Sequence, residues 1–151
     1  LYRIEVNEGP GSGVKVLNKP VPPAFKESIG YAEQNLYARS AQLVGDKDPR
    51  HHEFTVQLRA FDASKSGAKL GMASLAALST ALLKKSVRGG LIIVGEINLG
   101  GSVEPIHNPV TIAEIAVEKG ATALLMPVAC RRQLFDLHLR TVSSLSQWCQ
   151  L

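Results

Sequence analysis

The stretch that decides the fold is residues 95–106, which read Gly95-Glu96-Ile97-Asn98-Leu99-Gly100-Gly101-Ser102-Val103-Glu104-Pro105-Ile106. Two short runs, residues 97–99 and 102–104, flank a pair of glycines, and this arrangement predicts a β-hairpin with the glycines at its turn. The tetrapeptide at residues 91–94 is fully apolar and indicates a strand directly before the hairpin. We therefore predict a strand followed at once by a hairpin.

Further towards the N-terminus, the pattern predicts a central helix and a half-buried strand. Residues 72–83 are small and aliphatic on all sides, which is typical of a helix with close neighbours on several faces. Residues 53–58 alternate polar and apolar side chains, which indicates a strand with one buried face. Between them lies a polar stretch, residues 62–71, that leads directly into the helix.

The first third of the chain predicts two strands and a long helix. Residues 1–6 and 13–17 are strand-like, and the turn-rich segment between them predicts that they form a hairpin. Prolines at 20, 22 and 23 precede a run of apolar residues at helical spacing, which continues to Gly45. We therefore expect a helix from Ala24 to Gly45.

Towards the C-terminus, the pattern predicts a helix over residues 111–119 and a strand over residues 123–126. Residues 138–151 combine a helix-like apolar stripe with several serines, so a helix and a poorly ordered tail both remain open. Altogether we predict one mixed α/β domain of the two-layer α+β type over residues 1–137, followed by a tail over residues 138–151.

Composition places the chain among ordinary soluble proteins. It has 151 residues, of which 45% are hydrophobic and 20% charged, and the absence of a starting Met suggests a fragment of a larger protein. No apolar run approaches the roughly 18 residues that a membrane span needs, and the N-terminus does not resemble a signal peptide. Two cysteines, Cys130 and Cys149, are typical of a reduced compartment, so we expect a cytoplasmic protein without membrane partners.

The positive charge is concentrated in the middle of the chain. The formal net charge is +4, and residues 51–100 carry six Lys and Arg against three Asp and Glu, a balance of +3. Such a cluster either contacts phosphate or is simply a solvated basic face. If it binds DNA, we expect weak and salt-sensitive binding. The residues for this contact are Lys65, Lys84, Lys85 and Arg88.

Common catalytic and cofactor motifs are missing from the sequence. The glycine-rich stretches at residues 9–13 and 66–71 lack the spacing of a phosphate-binding P-loop, and no G-x-S-x-G motif occurs. The four histidines are not arranged as a metal-ligand cluster. We therefore expect no cofactor and no metal in this chain.

A Ser-Lys pair is the remaining possibility for catalysis, because a lysine whose pKa is lowered by burial can act as a general base. Candidates at the mouth of the central helix are Ser64, Lys65, Ser66 and Lys69. If Lys69 is buried, we expect it to pair with an acid or to titrate low, since an unpaired buried charge is costly.

Several motifs, in the right order, resemble the proteolytic domain of Lon-type ATP-dependent Ser-Lys proteases. Residues 95–106 closely follow the family signature Gly-Glu-Ile-Thr-Leu-x-Gly-x-Val-x-Pro-Ile, and residues 25–28, Phe-Lys-Glu-Ser, match its Met-Lys-Glu-Ser. Residues 1–6 and 9–13 resemble its first hairpin, and residues 119–127 its later helix end and strand. The resemblance covers roughly residues 1–132 and implies the Lon fold, an attached AAA+ ATPase that holds ATP and Mg²⁺, and a hexameric ring.

The family's catalytic dyad is not matched. Its nucleophile lies in Asp-Gly-Pro-Ser-Ala-Gly, and aligning that motif with residues 66–71 places Lys69 at the serine. Its lysine lies in Gly-Leu-Lys-Glu-Lys, and the alignment places Ile112 there, while Val94 replaces a threonine. The resemblance thus implies a domain whose dyad is lost. An alternative register places Lys65 at the serine and restores no lysine at Ile112.

A Lon-like domain without its dyad more loosely resembles the Lon-related proteins of bacterial BREX phage-defence systems. That resemblance implies a role in ring assembly and DNA engagement beside an ATPase. Two alternatives stay open. One is an active Lon-type peptidase with shifted residues, using Ser64 or Ser66 with Lys65 or Lys69, and the other is mainly an oligomerisation module.

Overall fold

The computed structural model describes residues 1–61 and 69–136. The helices are α1 (Pro23–Ala38), α2 (Ser40–Leu43), α3 (Gly71–Leu82), α4 (Pro109–Glu118) and α5 (Arg131–Asp136). The strands are β1 (Tyr2–Pro10), β2 (Gly13–Val16), β3 (His52–Ala60), β4 (Leu91–Ile93), β5 (Glu96–Ile97), β6 (Val103–Glu104) and β7 (Ala123–Leu125). The predicted tail, residues 138–151, lies outside the described residues, so the boundary at residue 137 stays a prediction.

The largest sheet has three strands in the order β1-β3-β2. β1 pairs antiparallel with β3 from Tyr2 opposite Ala60 to Pro10 opposite His52, whereas β2 runs parallel to β3. The predicted hairpin of the first two strands is therefore wrong, because β3 lies between them. The connection crosses the start of β3 at Gly11, where an added Cβ would lie only 2.9 Å from the Cβ of Glu53.

Helices α1 and α3 cover one face of this sheet. Alternation along β3 turns Phe54, Val56 and Leu58 towards the helices, and all three are buried. The helices contribute buried residues at helical spacing: Phe25, Ile29, Ala32 and Leu36 from α1, and Leu75, Leu78 and Leu82 from α3. This sheet-and-helix arrangement confirms the predicted α+β class with two layers.

The predicted helix over residues 24–45 is in fact two helices. The chain leaves the helical conformation at Arg39, whose φ and ψ are −119° and 25°, and α2 then adds a single turn. The central helix is confirmed, since α3 spans Gly71–Leu82. The strand predicted at residues 53–58 is also confirmed, and it extends to Ala60.

A second, smaller cluster lies in the C-terminal half. β4 pairs parallel with β7, and α4 contributes Ala113 and Ala116, which pack with Leu124. The predicted hairpin is confirmed, since β5 and β6 pair antiparallel through Glu96 opposite Glu104 and Ile97 opposite Val103. None of the helices in residues 1–61 and 69–136 is long and apolar enough to cross a membrane.

Candidate functional site

A polar cluster holds the start of α3. The Glu96 carboxylate, on β5, is buried with 8% exposure, and its Oε2 accepts a hydrogen bond of 2.6 Å from the Ser28 hydroxyl of α1. Its Oε1 accepts the backbone N–H of Ile97 at 3.0 Å. Ser28 Oγ in turn accepts the N–H of Leu70, the residue before α3, at 3.1 Å. One carboxylate thereby connects β5, α1 and the entry to α3.

Gly71 allows α3 to approach Glu96 closely. A Cβ on Gly71 would overlap Glu96 Oε1 and would also meet the N of Ile97 at 3.0 Å. The N–H of Met72 donates to the carbonyl of Gly95 at 3.2 Å, so the first turn of α3 is bonded to the β4–β5 connection. A helix N-terminus carries a partial positive charge, which favours a carboxylate at this position.

Lys69 lies directly before this clamped segment, and its side chain is exposed. The expectation for a buried, acid-paired Lys69 is therefore wrong. The next residue, Leu70, is half-buried, and its N–H donates to Ser28 Oγ.

Ile112 lies in the first turn of α4 and is half-buried. Its N–H donates to the carbonyl of Asn108 at 3.2 Å, and Asn108 adopts the left-handed conformation with φ of 54°. The side chain of Ile112 has no atom that accepts or donates a proton. The two positions that the predicted alignment places at the dyad are therefore occupied by an exposed lysine and a half-buried isoleucine.

The other predicted catalytic candidates, Ser64, Lys65 and Ser66, lie outside the described residues. Val94 stands between β4 and β5, and its N–H donates to the carbonyl of Leu125 at 2.9 Å. No group of three or more His, Cys, Asp or Glu side chains is placed to hold a metal ion within residues 1–61 and 69–136.

A second polar contact fixes the hairpin of β5 and β6 to α1. Asn35 is fully buried and donates from Nδ2 to the carbonyl of Asn98 at 3.0 Å. Its Oδ1 accepts from Arg39 Nη1 at 2.7 Å, and Arg39 Nη2 donates to the carbonyl of Gly100 at 2.6 Å. The turn of the hairpin is thus bound by two side chains one helical turn apart.

Neither contact follows from the pattern of the sequence. Ser28 and Glu96 both stand in the motifs that match the Lon family, so the motifs mark the first contact, although their pairing was not predicted. Asn35 and Arg39 carry no motif. Their spacing of four residues on one helix face is the sole sequence signal we find for them.

The basic residues Lys84, Lys85 and Arg88 follow the C-terminal end of α3, and all three are exposed. α3 has 12 residues, so this end lies about 18 Å from the end beside Lys69. Lys47 also reaches this end, and its Nζ donates to the carbonyl of Leu82 at 2.9 Å. The fourth predicted DNA contact, Lys65, lies outside the described part of the chain.

One acid, Glu8, lies near two of these cations, Lys47 and Lys84. Glu8, near the end of β1, places Oε1 2.6 Å from His52 Nδ1 at the start of β3. The hydrogen bond with His52 lowers the pKa of Glu8 below its ordinary value of 4.5, and the charges of Lys84 and Lys47 lower it further. Glu8 is therefore a carboxylate within electrostatic reach of three basic side chains.

Several known proteins and one family of protein domains are similar to this chain over most of its length. Residues 1–147 match the family described as the Lon protease (S16) C-terminal proteolytic domain. The Lon-like protease BrxL of Escherichia coli O9:H4 (strain HS) is 27% identical over 134 residues, which are 85% of this chain and 19% of that protein. The Lon protease of Methylocella silvestris is 30% identical over 137 residues, 89% of this chain and 17% of that protein.

Lon protease 1 of Sorangium cellulosum is 29% identical over 146 residues, which cover 96% of this chain and 18% of that protein. The chain thus spans less than a fifth of the length of these three relatives.

Proposed function

Because the chain belongs to the family of Lon protease (S16) C-terminal proteolytic domains, we propose that it is a member that keeps the fold and has lost proteolysis. The observation that carries the proposal is the residue at position 112. A Ser-Lys dyad needs an amine that accepts the proton of the nucleophile, and isoleucine has none. Removing one member of a catalytic dyad typically lowers the rate by orders of magnitude.

Position 69 supports the same proposal. Aligned with the family serine, it carries an exposed lysine in place of the hydroxyl that acts as nucleophile in a Ser-Lys dyad. The clamp of Ser28, Glu96 and Gly71 explains how the scaffold persists, because none of its contacts needs a serine at position 69.

A gain-of-function experiment tests the alignment and the proposal together. The native chain is compared with the double variant Lys69→Ser, Ile112→Lys for cleavage of a fluorescently labelled unfolded protein. We expect no cleavage by the native chain and slow cleavage by the double variant, with each single variant as a silent control. Cleavage by the native chain that the double substitution leaves unimproved would overturn the alignment.

The alternative is an active peptidase that uses Ser64 or Ser66 with Lys65 or Lys69. The sequence feature that favours it is the presence of two serines and two lysines within six residues directly before α3. It predicts cleavage by the native chain that disappears in Ser64→Ala or Ser66→Ala.

We further propose that the domain serves assembly, and DNA engagement in phage defence, as part of a longer protein. Relatives of which this chain covers only 17% to 19% support an attached segment, for which we propose an AAA+ ATPase that holds ATP and Mg²⁺. The similarity to a Lon-like protease BrxL and the exposed cations after α3 support the DNA role.

Sedimentation of the longer protein tests assembly into a hexameric ring. We expect a species of about six subunits, and a monomer at micromolar concentration would contradict the proposal.

A further inference from the structure

The C-terminal end of α3 brings basic groups from three separate segments to one carboxylate. His52 comes from β3, Lys47 from the segment before it, and Lys84 from the residues after α3. His52 is hydrogen-bonded to Glu8. Lys47 is hydrogen-bonded to the carbonyl of Leu82, which lies two residues before Lys84. Both lysines also act on the charge of Glu8.

The sheet places Glu8 and His52 on its helix-covered face. β1 directs Tyr2, Ile4 and Val6 to the core, and Glu8 continues that alternation. The side chain of Glu8 is 14% exposed and that of His52 31% exposed, so the pair lies at the margin of the core where solvent begins.

Lys84 holds an unusual backbone conformation. Its φ is 53°, and the N–H groups of Lys84 and Lys85 donate to the carbonyls of Ala81 and Thr80, the pattern of a helix end that glycine normally occupies. A lysine there costs backbone strain that a glycine would avoid, and strain of this kind collects at functional positions. This observation is independent of the Glu8 contact.

We propose that Glu8 is a built-in competitor of DNA, a carboxylate that occupies the basic surface of Lys47, His52 and Lys84 until a backbone phosphate of a DNA duplex replaces it. The inference deepens the DNA engagement proposed above and rests on it. A carboxylate and a phosphate are both anions that accept hydrogen bonds from Lys and His. While Glu8 is ionised, it neutralises part of this surface and repels phosphate.

The test is the affinity of the 151-residue chain for a short fluorescein-labelled DNA duplex, measured by anisotropy at several salt concentrations. Glu8→Gln keeps the size of the side chain and removes its charge. We expect it to raise the affinity at least about threefold, and to steepen the dependence on log salt by about one unit, because one more phosphate contact releases one more counterion.

Glu53→Gln is the matched control. Glu53 follows His52 in β3, but alternation places it on the opposite face of the sheet, and its substitution changes the net charge by the same amount. We expect it to leave the salt dependence at the native value at physiological ionic strength, where the screening length is about 8 Å.

Variants of Lys84 separate its charge from its place in the fold. Lys84→Gly removes the strain, so we expect a higher melting temperature together with a several-fold lower DNA affinity and a salt dependence shallower by about one unit. Lys84→Arg is expected to retain the native affinity. A role in folding alone would raise the melting temperature of Lys84→Gly and leave its DNA affinity unchanged.

Failure of the inference differs from failure of the proposed DNA role. If the native chain binds DNA and Glu8→Gln gains no more affinity than Glu53→Gln, Glu8 is not a competitor and the DNA role stands. If neither the native chain nor Glu8→Gln binds the duplex at low salt, the DNA role of this chain falls, and the inference falls with it.

Discussion

The two ends of α3 show how differently one fold uses a carboxylate. At the N-terminal end, Glu96 is buried and bonded to uncharged donors, namely the Ser28 hydroxyl and the N–H of Ile97. At the C-terminal end, Glu8 lies at the solvent margin and is paired with His52 near two lysines. The helix dipole favours the carboxylate of Glu96 at the first end, whereas at the second end it favours the lysines and not Glu8.

Because of this difference, the two ends of α3 tolerate different substitutions. The N-terminal end is fixed by packing and by hydrogen bonds from uncharged donors, so its geometry can persist while the side chain at position 69 changes. The C-terminal end depends on charge, and a single substitution there alters what the surface attracts without disturbing the core. Substitutions at each end should therefore change different properties.

The largest expected effect is at Gly71. Gly71→Ala forces a Cβ onto Glu96 Oε1, so we expect it to lower the free energy of unfolding by about 3 kcal/mol. Gly30→Ala is the matched control, because Gly30 lies inside α1 with nothing within 4 Å of the added Cβ. It should raise the free energy by about 0.5–1 kcal/mol. Chemical denaturation measures both, and equal effects would refute the close approach.

A smaller effect is expected at Ser28. Ser28→Ala leaves the buried Glu96 Oε2 and the N–H of Leu70 without this partner, which should cost about 1–2 kcal/mol. Ser74 offers a contrast in α3, since its Oγ is buried and has no hydrogen-bond partner among the described residues. Ser74→Ala should be neutral or stabilise by up to about 1 kcal/mol. If urea denaturation gave Ser74→Ala a lower free energy of unfolding than Ser28→Ala, the result would contradict the stabilising role of the Ser28 hydrogen bonds.

The smallest effect concerns acid stability at the other end of α3. Because the pKa of folded Glu8 is lowered below 4.5, the Glu8–His52 contact stabilises the fold above about pH 4.5, and this contribution is lost as the pH falls through the lowered pKa. Glu8→Gln should therefore flatten the decline of melting temperature with acidification below pH 4.5. His52→Gln should return the pKa of Glu8 towards 4.5, as NMR titration of its side chain can show. If the melting temperature of Glu8→Gln fell below pH 4.5 as steeply as that of the native chain, the result would contradict a stabilising contact between Glu8 and His52.

Local features of this fold were predictable, and its long-range pairings were not. The alternation of β3, the helical composition of α3 and the glycines between β5 and β6 are each contained within a dozen residues, and each prediction is confirmed. The strand order β1-β3-β2 is decided by pairing across the chain, where β3 competes with the nearby β2 for the edge of β1. Local turn signals therefore predicted the wrong partner.

The same distinction holds for the sites. Ser28 and Glu96 both stand in motifs that match the family, but the hydrogen bond between them joins residues 68 positions apart. Glu8 and His52 are 44 positions apart, and no motif marks them. The predicted basic residues Lys84, Lys85 and Arg88 were recognisable by charge alone, whereas the contact of Glu8 with His52 depends on the folded sheet.

Cleavage of an unfolded protein by the native chain is the most direct test of the central claim, that the Lon scaffold remains and its catalysis is lost. The assay follows fluorescence release at neutral pH, with the proteolytic domain of an active Lon protease as the positive control. We expect release by the control and none by the native chain above buffer. Cleavage by the native chain that is abolished by Ser64→Ala or Ser66→Ala would contradict the claim.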